Sequence, residues 1–447
     1  MNRITWLFIT MFLASGFAGA QTKSWTFQQC LDTALQRNIS VNQSRLSNEL
    51  NKVDLAQSKA NRIPSVSANA NEAVNIGKNV DPTTNSFVTE GYHSTNMGIS
   101  GSYNLFNGLQ NSNTIRQNRL NVQAGQYNIE KVKNDVTIGI TNGYLQILLD
   151  NEILIAAKNL EESSAADVVR AEKMVNAGKS PESDLLQMKS QLATDNLSVI
   201  NAQNKLDMDK VTLMQLMDIP VTDSFDIVVP AMDETLTGVL LTNEEIYQKS
   251  LSAQPQITGA SLQTNASTMA LKVAQGAYWP RVNLGANMNS NYASSRKKGS
   301  SVNPQGYPFY QQMWDNLGQS FSMGISIPIY SNRQVKSRIE KARINLLSTQ
   351  LDEQNTRNLL RKTVEQTYMD LHASVKKYEA TKQQLAAVEA VYKNAEIKYT
   401  VGAMSATDFL VQKKNFSQSQ SSLIQSKYNS IFMRKILDFY QGKAIAF

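Results

Sequence analysis

The sequence is poor in the residues that usually carry chemistry. It has one cysteine, Cys30, so no disulfide can form within the chain. A small buried hydrophobe is the expected role of that residue. There are two histidines, His93 and His372, the first placed in an outer loop and the second on a long helix. No nucleophile elbow, phosphate loop or metal-ligand spacing accompanies them. An enzyme is therefore not expected, and neither is a cofactor. After residue 20 no apolar run is long enough for a transmembrane helix. If the chain enters a membrane, it must do so by strands. The net charge of +7 is not gathered on one face, because Lys and Arg are mixed with Asp and Glu throughout. That argues against nucleic acid as a partner.

Proline and glycine are absent from Arg333 to Val401. Within that run Leu360, Val364, Tyr368, Leu371, Val375 and Tyr378 recur at steps of mostly three and four. Leu385, Val388, Tyr392, Ala395 and Tyr399 continue the stripe. This is the seam of a coiled coil. A helix this long extends roughly 100 Å, against about 11–12 residues for an ordinary globular helix. Such a rod needs a partner rod.

The partner lies in the same chain. When the numbering is shifted by 224, Tyr144 falls on Tyr368, Gly178 on Gly402, Asp184 on Asp408 and Leu213 on Leu437. Two unrelated helices would not hold one register over that distance. The sequence is an internal duplication of a long helical hairpin. The expected organisation is a signal peptide at 1–20, a first repeat at 21–218, a connector at 219–241, a second repeat at 242–442 and a tail at 443–447. In the first repeat a strand pair spans about 65–106, and a hairpin about 108–218 turns near 178. In the second the strand pair spans about 281–330, and a hairpin about 332–442 turns near 402. Arg3, the apolar stretch to Phe17 and Ala18-Gly19-Ala20 carry the signal-peptide reading. No cysteine follows the cleavage site, so a lipid anchor there is not expected.

At Pro64 the period changes from 3.6 to 2. Val66, Ala68, Ala70, Val74 and Ile76 alternate with serine and asparagine. The pattern recurs at Met97–Leu105, Val282–Tyr292 and Phe321–Ile329, with polar loops between the paired strands. Tilted strands of about ten residues cross a bilayer, with lipid on one face and water on the other. Aromatic residues crowd the strand ends (Tyr92, Tyr103, Phe106, Tyr292, Tyr310, Trp314, Phe321, Tyr330), as at a membrane interface. Four strands cannot close a barrel, and open edges are not tolerated in lipid. Three copies would supply about twelve strands, an even number in the known range. A homotrimer in contact with outer-membrane lipid follows from closure. The terminal Phe447 has no strand before it, so its likeness to the last residue of an outer-membrane barrel is taken as chance.

The two helix reversals concentrate the candidate site. Gly178 and Gly402 are the expected left-handed stops of the long arms. Ser180 and Ser405 are the expected N-caps of the return helices. Asp184 and Asp408 follow, and Asp408 suits a capping residue near a helix dipole as well as a charged constriction.

The duplicated layout resembles the TolC-type outer-membrane efflux proteins. So do the strand exits Asn104-Leu105-Phe106-Asn107-Gly108 and Pro328-Ile329-Tyr330-Ser331-Asn332, and the tip pattern from Tyr399 through Gly402 to Asp408. The resemblance implies a trimeric tunnel with a twelve-stranded barrel in the outer membrane and a helical barrel crossing the periplasm. It also implies tips that stay closed until a periplasmic adaptor (membrane fusion) protein and an inner-membrane transporter of RND or ABC type engage. By resemblance, Asp184 and Tyr399 match a bonded pair that holds the tips shut. A tip arginine of the family falls at Met404. Asp408 matches one acidic constriction residue, whose partner falls at Val411. The competing expectation is a trimeric coiled-coil surface protein of adhesin type, which would need neither the duplication nor the strand pairs.

Overall fold

The computed structural model describes residues 24–80, 85–89, 91–222, 224–230, 241–298 and 305–447. The expected signal peptide, Pro82, Pro304 and, in the connector, residue 223 and residues 231–240 lie outside them. In chain order the elements are β1 (Ser24–Trp25), α1 (Phe27–Arg37), α2 (Ile39–Ala60), β2 (Ser65–Asn75), β3 (Asn79–Val80), β4 (Phe87–Val88), β5 (Tyr92–Asn107), α3 (Gln110–Asn176) and α4 (Glu182–Leu216). They continue as β6 (Asp226–Ile227), α5 (Asn243–Ala253), α6 (Pro255–Gln275), β7 (Arg281–Ala293), β8 (Lys297–Lys298), β9 (Gln305–Gly306), α7 (Phe309–Asp315), β10 (Gly318–Ser326), α8 (Gln334–Thr400) and α9 (Ala406–Tyr440). The chain forms two compact units. Among the described residues, one comprises those within 24–46, 127–257 and 355–447, and the other those within 47–126 and 258–354.

The first unit holds most of the two hairpins. The helices α3 and α8 have 67 residues each, and α4 and α9 have 35. Every boundary in the second hairpin repeats the first after 224 residues: Gln110 and Gln334, Asn176 and Thr400, Glu182 and Ala406, Leu216 and Tyr440. The seam positions named from the sequence, Leu360 through Tyr399, are all buried or half-buried. A separate apolar centre surrounds Tyr144, whose hydroxyl donates to the Val228 carbonyl at 2.5 Å. There β1 pairs in parallel with β6. Phe447 belongs here too. Its ring meets Phe27 edge-on at 4.8 Å and stacks on Tyr144 at 5.9 Å. The terminal aromatic is thus a packing residue beside the helices. Cys30 is buried in the same centre, and burial pushes its thiol up to about 12. The short helices open on capping boxes, Thr26 with Gln29 and Thr242 with Glu245.

The second unit contains an antiparallel sheet in the order β10-β7-β5-β2. Its register places Val66, Ala68 and Ala70 across from Gly101, Ile99 and Met97. Those three in turn face Ala286, Met288 and Ser290. Phe321, Met323 and Ile325 extend the same face through Ala286, Leu284 and Val282. The opposite face carries Ser65, Ser67, Ser100, Ser102, Asn283, Asn287, Ser320 and Ser322. Cross-strand hydroxyl bonds link Ser65 to Ser102 at 2.7 Å and Ser67 to Ser100 at 2.9 Å. Every residue of β2 except Asn75, and every residue of β10 except Gly318, is exposed, so neither face is a core. The outer edges of β2 and β10 pair with no other described strand. Both strand exits use two successive left-handed residues, Gly108-Leu109 and Asn332-Arg333.

Three details differ from the expectation. The strand β5 has 16 residues and includes His93, which is therefore not in a loop. The strand β10 stops at Ser326, because Pro328 lacks the N–H that a longer ladder needs. Within the stretch expected as the second polar loop, Phe309–Asp315 form α7, which contains Trp314. Among the described residues no helix is long and apolar enough to cross a membrane.

Candidate functional site

The tips of both hairpins lie in the first unit. In each, the left-handed glycine lets the chain reverse (φ +69° at Gly178, +75° at Gly402). The backbone closes the same pair of bonds twice. Gly178 N donates to the Val175 carbonyl and Lys179 N to Met174. Gly402 N donates to Tyr399 and Ala403 N to Lys398. These satisfy carbonyls that a helix end leaves open.

The return helices begin differently. Ser405 caps α9 by accepting from Asp408 N at 3.1 Å, and its hydroxyl donates to the Asp408 carboxylate at 2.7 Å. At the matching position of α4 stands Pro181, which makes no side-chain cap. Ser180 is one residue too early to cap. Its hydroxyl donates to the Asp184 carboxylate instead, at 2.6 Å. The expectation of a Ser180 cap is corrected accordingly.

The apolar filling of the tips is Ala171, Met188, Ala395, Tyr399, Ala406 and Phe409. Tyr399 lies flat on Phe409 at 4.8 Å, and Tyr392 stacks on both Phe409 at 6.0 Å and Phe416 at 5.0 Å. Tyr399 is 2% exposed, and its hydroxyl has no hydrogen-bond partner. Burial raises its pKa first, and the charges of Asp184 and Asp167 add to this, against Arg170. The bond expected by resemblance between Asp184 and Tyr399 is not made within this chain, because the Asp184 carboxylate is engaged by Ser180. Asp408 and Val411 are both exposed. Met404 is half-buried against the aromatic stack.

The sequence reading missed the polar tethers between the hairpins. Arg170 of α3 donates to Thr400 of α8 at 3.3 Å and lies 3.5 Å from Asp167. Thr407 of α9 donates to Gln187 of α4 at 3.1 Å. Lys413 of α9 donates to Asp167 at 2.8 Å and to Ser163 at 3.2 Å. Lys413 is 1% exposed, so this ion pair sits inside the helix packing. The available signal was the seam itself: Phe409, Lys413 and Phe416 follow at steps of four and three, which puts a charge at an apolar position. The arrangement tethers two helix pairs to one another, and it contains no acid–base or nucleophilic constellation. Among the described residues no His, Cys, Asp and Glu gather as metal ligands do.

The duplicated hairpins with an open four-stranded sheet match the family model described as outer membrane efflux protein, over residues 30–218 and 246–431. The chain belongs to that family. It is 20% identical over 417 residues to the outer membrane efflux protein BepC of Brucella suis, covering 92% of this chain and 84% of that one. To the outer membrane protein TolC of Escherichia coli it is 19% identical over 363 residues, covering 74% and 71%. Among solved structures, CusC superposes with a TM-score of 0.79 at 16% identity, over 94% of this chain and 92% of that one. The Campylobacter jejuni outer membrane channel CmeC superposes at 0.75 and 16% identity, over 93% and 85%. The expectation of an outer-membrane exit duct is borne out, and the adhesin alternative finds no support.

Proposed function

We propose that three copies of this chain form a passive exit duct of a tripartite efflux or type I secretion system. The observation that carries this is the sheet. Its four strands have one aliphatic face, one serine and asparagine face, and two outer edges that pair with no other described strand. Hydrocarbon accepts no open edge, so sister chains must supply the missing neighbours. Three sheets make about twelve strands, enough to enclose a polar lumen. The helices extend the lumen into the periplasm, and their tips form the gate. Gly178 and Gly402 set the reversals, Asp184 and Asp408 place carboxylates beside them, and Tyr399 holds the second arm in its aromatic stack. A periplasmic adaptor and an inner-membrane transporter of RND or ABC type open the tips and supply the energy. Substrate choice lies with that transporter.

Purified protein in planar bilayers tests this directly. The expected result is a small conductance that rises when the tip tethers are removed with Lys413→Ala and Arg170→Ala. Absence of conductance in parent and variant alike, in a preparation shown to be inserted, would overturn the proposal.

A further inference from the structure

The short helix α7 lies over the aliphatic face of the sheet without closing onto it. Seven residues are too few to hold a helix alone, and the bonds that fasten this one are polar. Gln312, fully buried, donates to the carbonyls of Ala293 at 3.1 Å and Tyr307 at 2.8 Å, and accepts from Ala293 N. Asn316 donates to the Asn291 carbonyl at 2.7 Å, and Ser290 donates to that of Met313 at 2.5 Å. The aromatic side chains stay open: Trp314 is 78% exposed and Tyr310 70%. Between them and the sheet floor of Ala70, Met97, Ile99 and Met288 lies a groove of about 800 Å³. Packing against the sheet does not fill it, although aliphatic side chains line it.

We infer that this groove holds one hydrocarbon chain of an outer-leaflet lipid whose headgroup carries net negative charge. The inference rests on the reading of this sheet as the membrane wall. The groove is continuous with the face that reading turns toward lipid, and an exposed tryptophan and tyrosine suit the boundary where headgroups begin. Basic residues stand at the end of β7, beside the helix that walls the groove. Arg296, Lys297 and Lys298 follow β7 directly, and Lys298 reaches Asp315 at the end of α7 at 3.4 Å. A lipid seated here buries what the fold leaves bare, as an interfacial helix does with its apolar side.

The test is lipid retention by the full-length protein in detergent, read by native mass spectrometry during titration with phosphatidylglycerol and with phosphatidylcholine. The expected result is one tightly held phosphatidylglycerol per chain. Ala70→Phe, which fills the floor, and Trp314→Ser, which removes an exposed wall without touching the fold, should each weaken it about tenfold. Lys297→Glu with Lys298→Glu should weaken phosphatidylglycerol more than phosphatidylcholine. Ile325→Phe, on the same face outside the groove, should change nothing. Equal retention in parent, Ala70→Phe and Trp314→Ser overturns the site, as does an equal loss with Ile325→Phe, which marks a general lipid belt only. A parent that inserts into vesicles yet retains no lipid sinks the groove alone. A parent that fails to insert sinks the membrane reading beneath it.

Discussion

The two hairpin tips share a backbone and differ in filling. Residues Tyr392, Tyr399, Phe409 and Phe416 of the second hairpin stack into an aromatic column. Their counterparts 224 positions earlier are Val168, Val175, Leu185 and Leu192. The left-handed glycines and the bonds around them are the same in both. Reversal geometry therefore needs only glycine and the helix end, and side chains were free to diverge. The charges diverged as well. Lys413 is buried against Asp167, while Lys189, its counterpart, is exposed, and Val391 stands where Asp167 has its counterpart. One hairpin thus supplies flat rigid rings and a buried cation, and the other supplies the carboxylate that receives it.

The sharpest way to break this comparison is to truncate the two lysines. Lys413→Ala leaves Asp167 buried with only Arg170 nearby, and removing one partner of a buried pair costs about 3–5 kcal/mol. The residual arginine places the expected loss at the lower end. Lys189→Ala should stay within about 0.5 kcal/mol, as exposed substitutions do. Denaturant midpoints of the purified protein in detergent decide between them. Equal midpoints would show that the burial asymmetry has no energetic consequence. Lys413→Met combined with Asp167→Leu should recover most of the loss, because the desolvation of both charges disappears together.

The second prediction uses another asymmetry. Asp150 of α3 is buried, and its counterpart in α8 is Ser374, whose hydroxyl bonds its own helix at 2.8 Å. Burial raises the Asp150 carboxyl to about 7, with help from hydrogen bonding to and repulsion from Asp209, against Lys205 and Gln146. An unfolded aspartate loses its proton near 3.8. Between those values the native chain binds more protons than the unfolded one, so stability falls as pH rises, by up to ~1.4 kcal/mol per pH unit. Asp209 shifts the opposite way, so its contribution changes only at and below 3.8, outside that window. Asp150→Ser, which copies the second repeat, should flatten the profile between pH 4 and 7 and raise stability at pH 7. Thermal midpoints measured across that range check both.

Much of the fold was legible because it rests on periodicity. The step-three-and-four seam and the 224-residue offset fixed α3, α4, α8 and α9 as rods. The switch to period two at Pro64 marked the sheet, and the register confirms which residues share a face. What stayed hidden depended on contacts between residues far apart in the chain. Nothing local says that Phe447 stacks on Tyr144, or that Gln312 pins a helix to β7. At the tips, the glycines and Ser405 could be read because capping is local. The Ser180 cap failed because Pro181 took the position one residue later. The Asp184–Tyr399 link could not be judged from sequence, since a carboxylate chooses between a neighbour four residues away and a ring on another helix.

The third prediction is smaller and concerns the shared reversal. An added Cβ at Gly178 or Gly402 meets no atom within 4 Å, so alanine there is penalised only by the backbone. The left-handed conformation costs about 1–2 kcal/mol for a residue with a side chain. Gly178→Ala and Gly402→Ala should lose similar amounts despite the different filling beside them, and asparagine at either site should lose less. Hydrogen exchange over residues 174–184 and 398–408 reads the local cost. A large excess at Gly402 would mean that the aromatic column constrains the turn after all.

The smallest effect is the most informative about the proposed gate. The Tyr399 hydroxyl is buried without a partner, and such a group costs about 1–3 kcal/mol. Tyr399→Phe keeps the ring on Phe409 and removes the orphaned oxygen, so the substitution should stabilise the tip by ~1 kcal/mol and slow exchange at Thr400–Gly402. The opposite sign has a definite meaning. If Asp184 leaves Ser180 for Tyr399 when three chains assemble, Tyr399→Phe removes a gate bond and closed-state conductance rises. Ser180→Ala then separates the alternatives, because it frees the Asp184 carboxylate from its present donor. Under the arrangement seen here Ser180→Ala loosens α4 alone and leaves Tyr399 unchanged. With a competing bond it strengthens the link across the tips, and conductance falls in the parent background but not beside Tyr399→Phe.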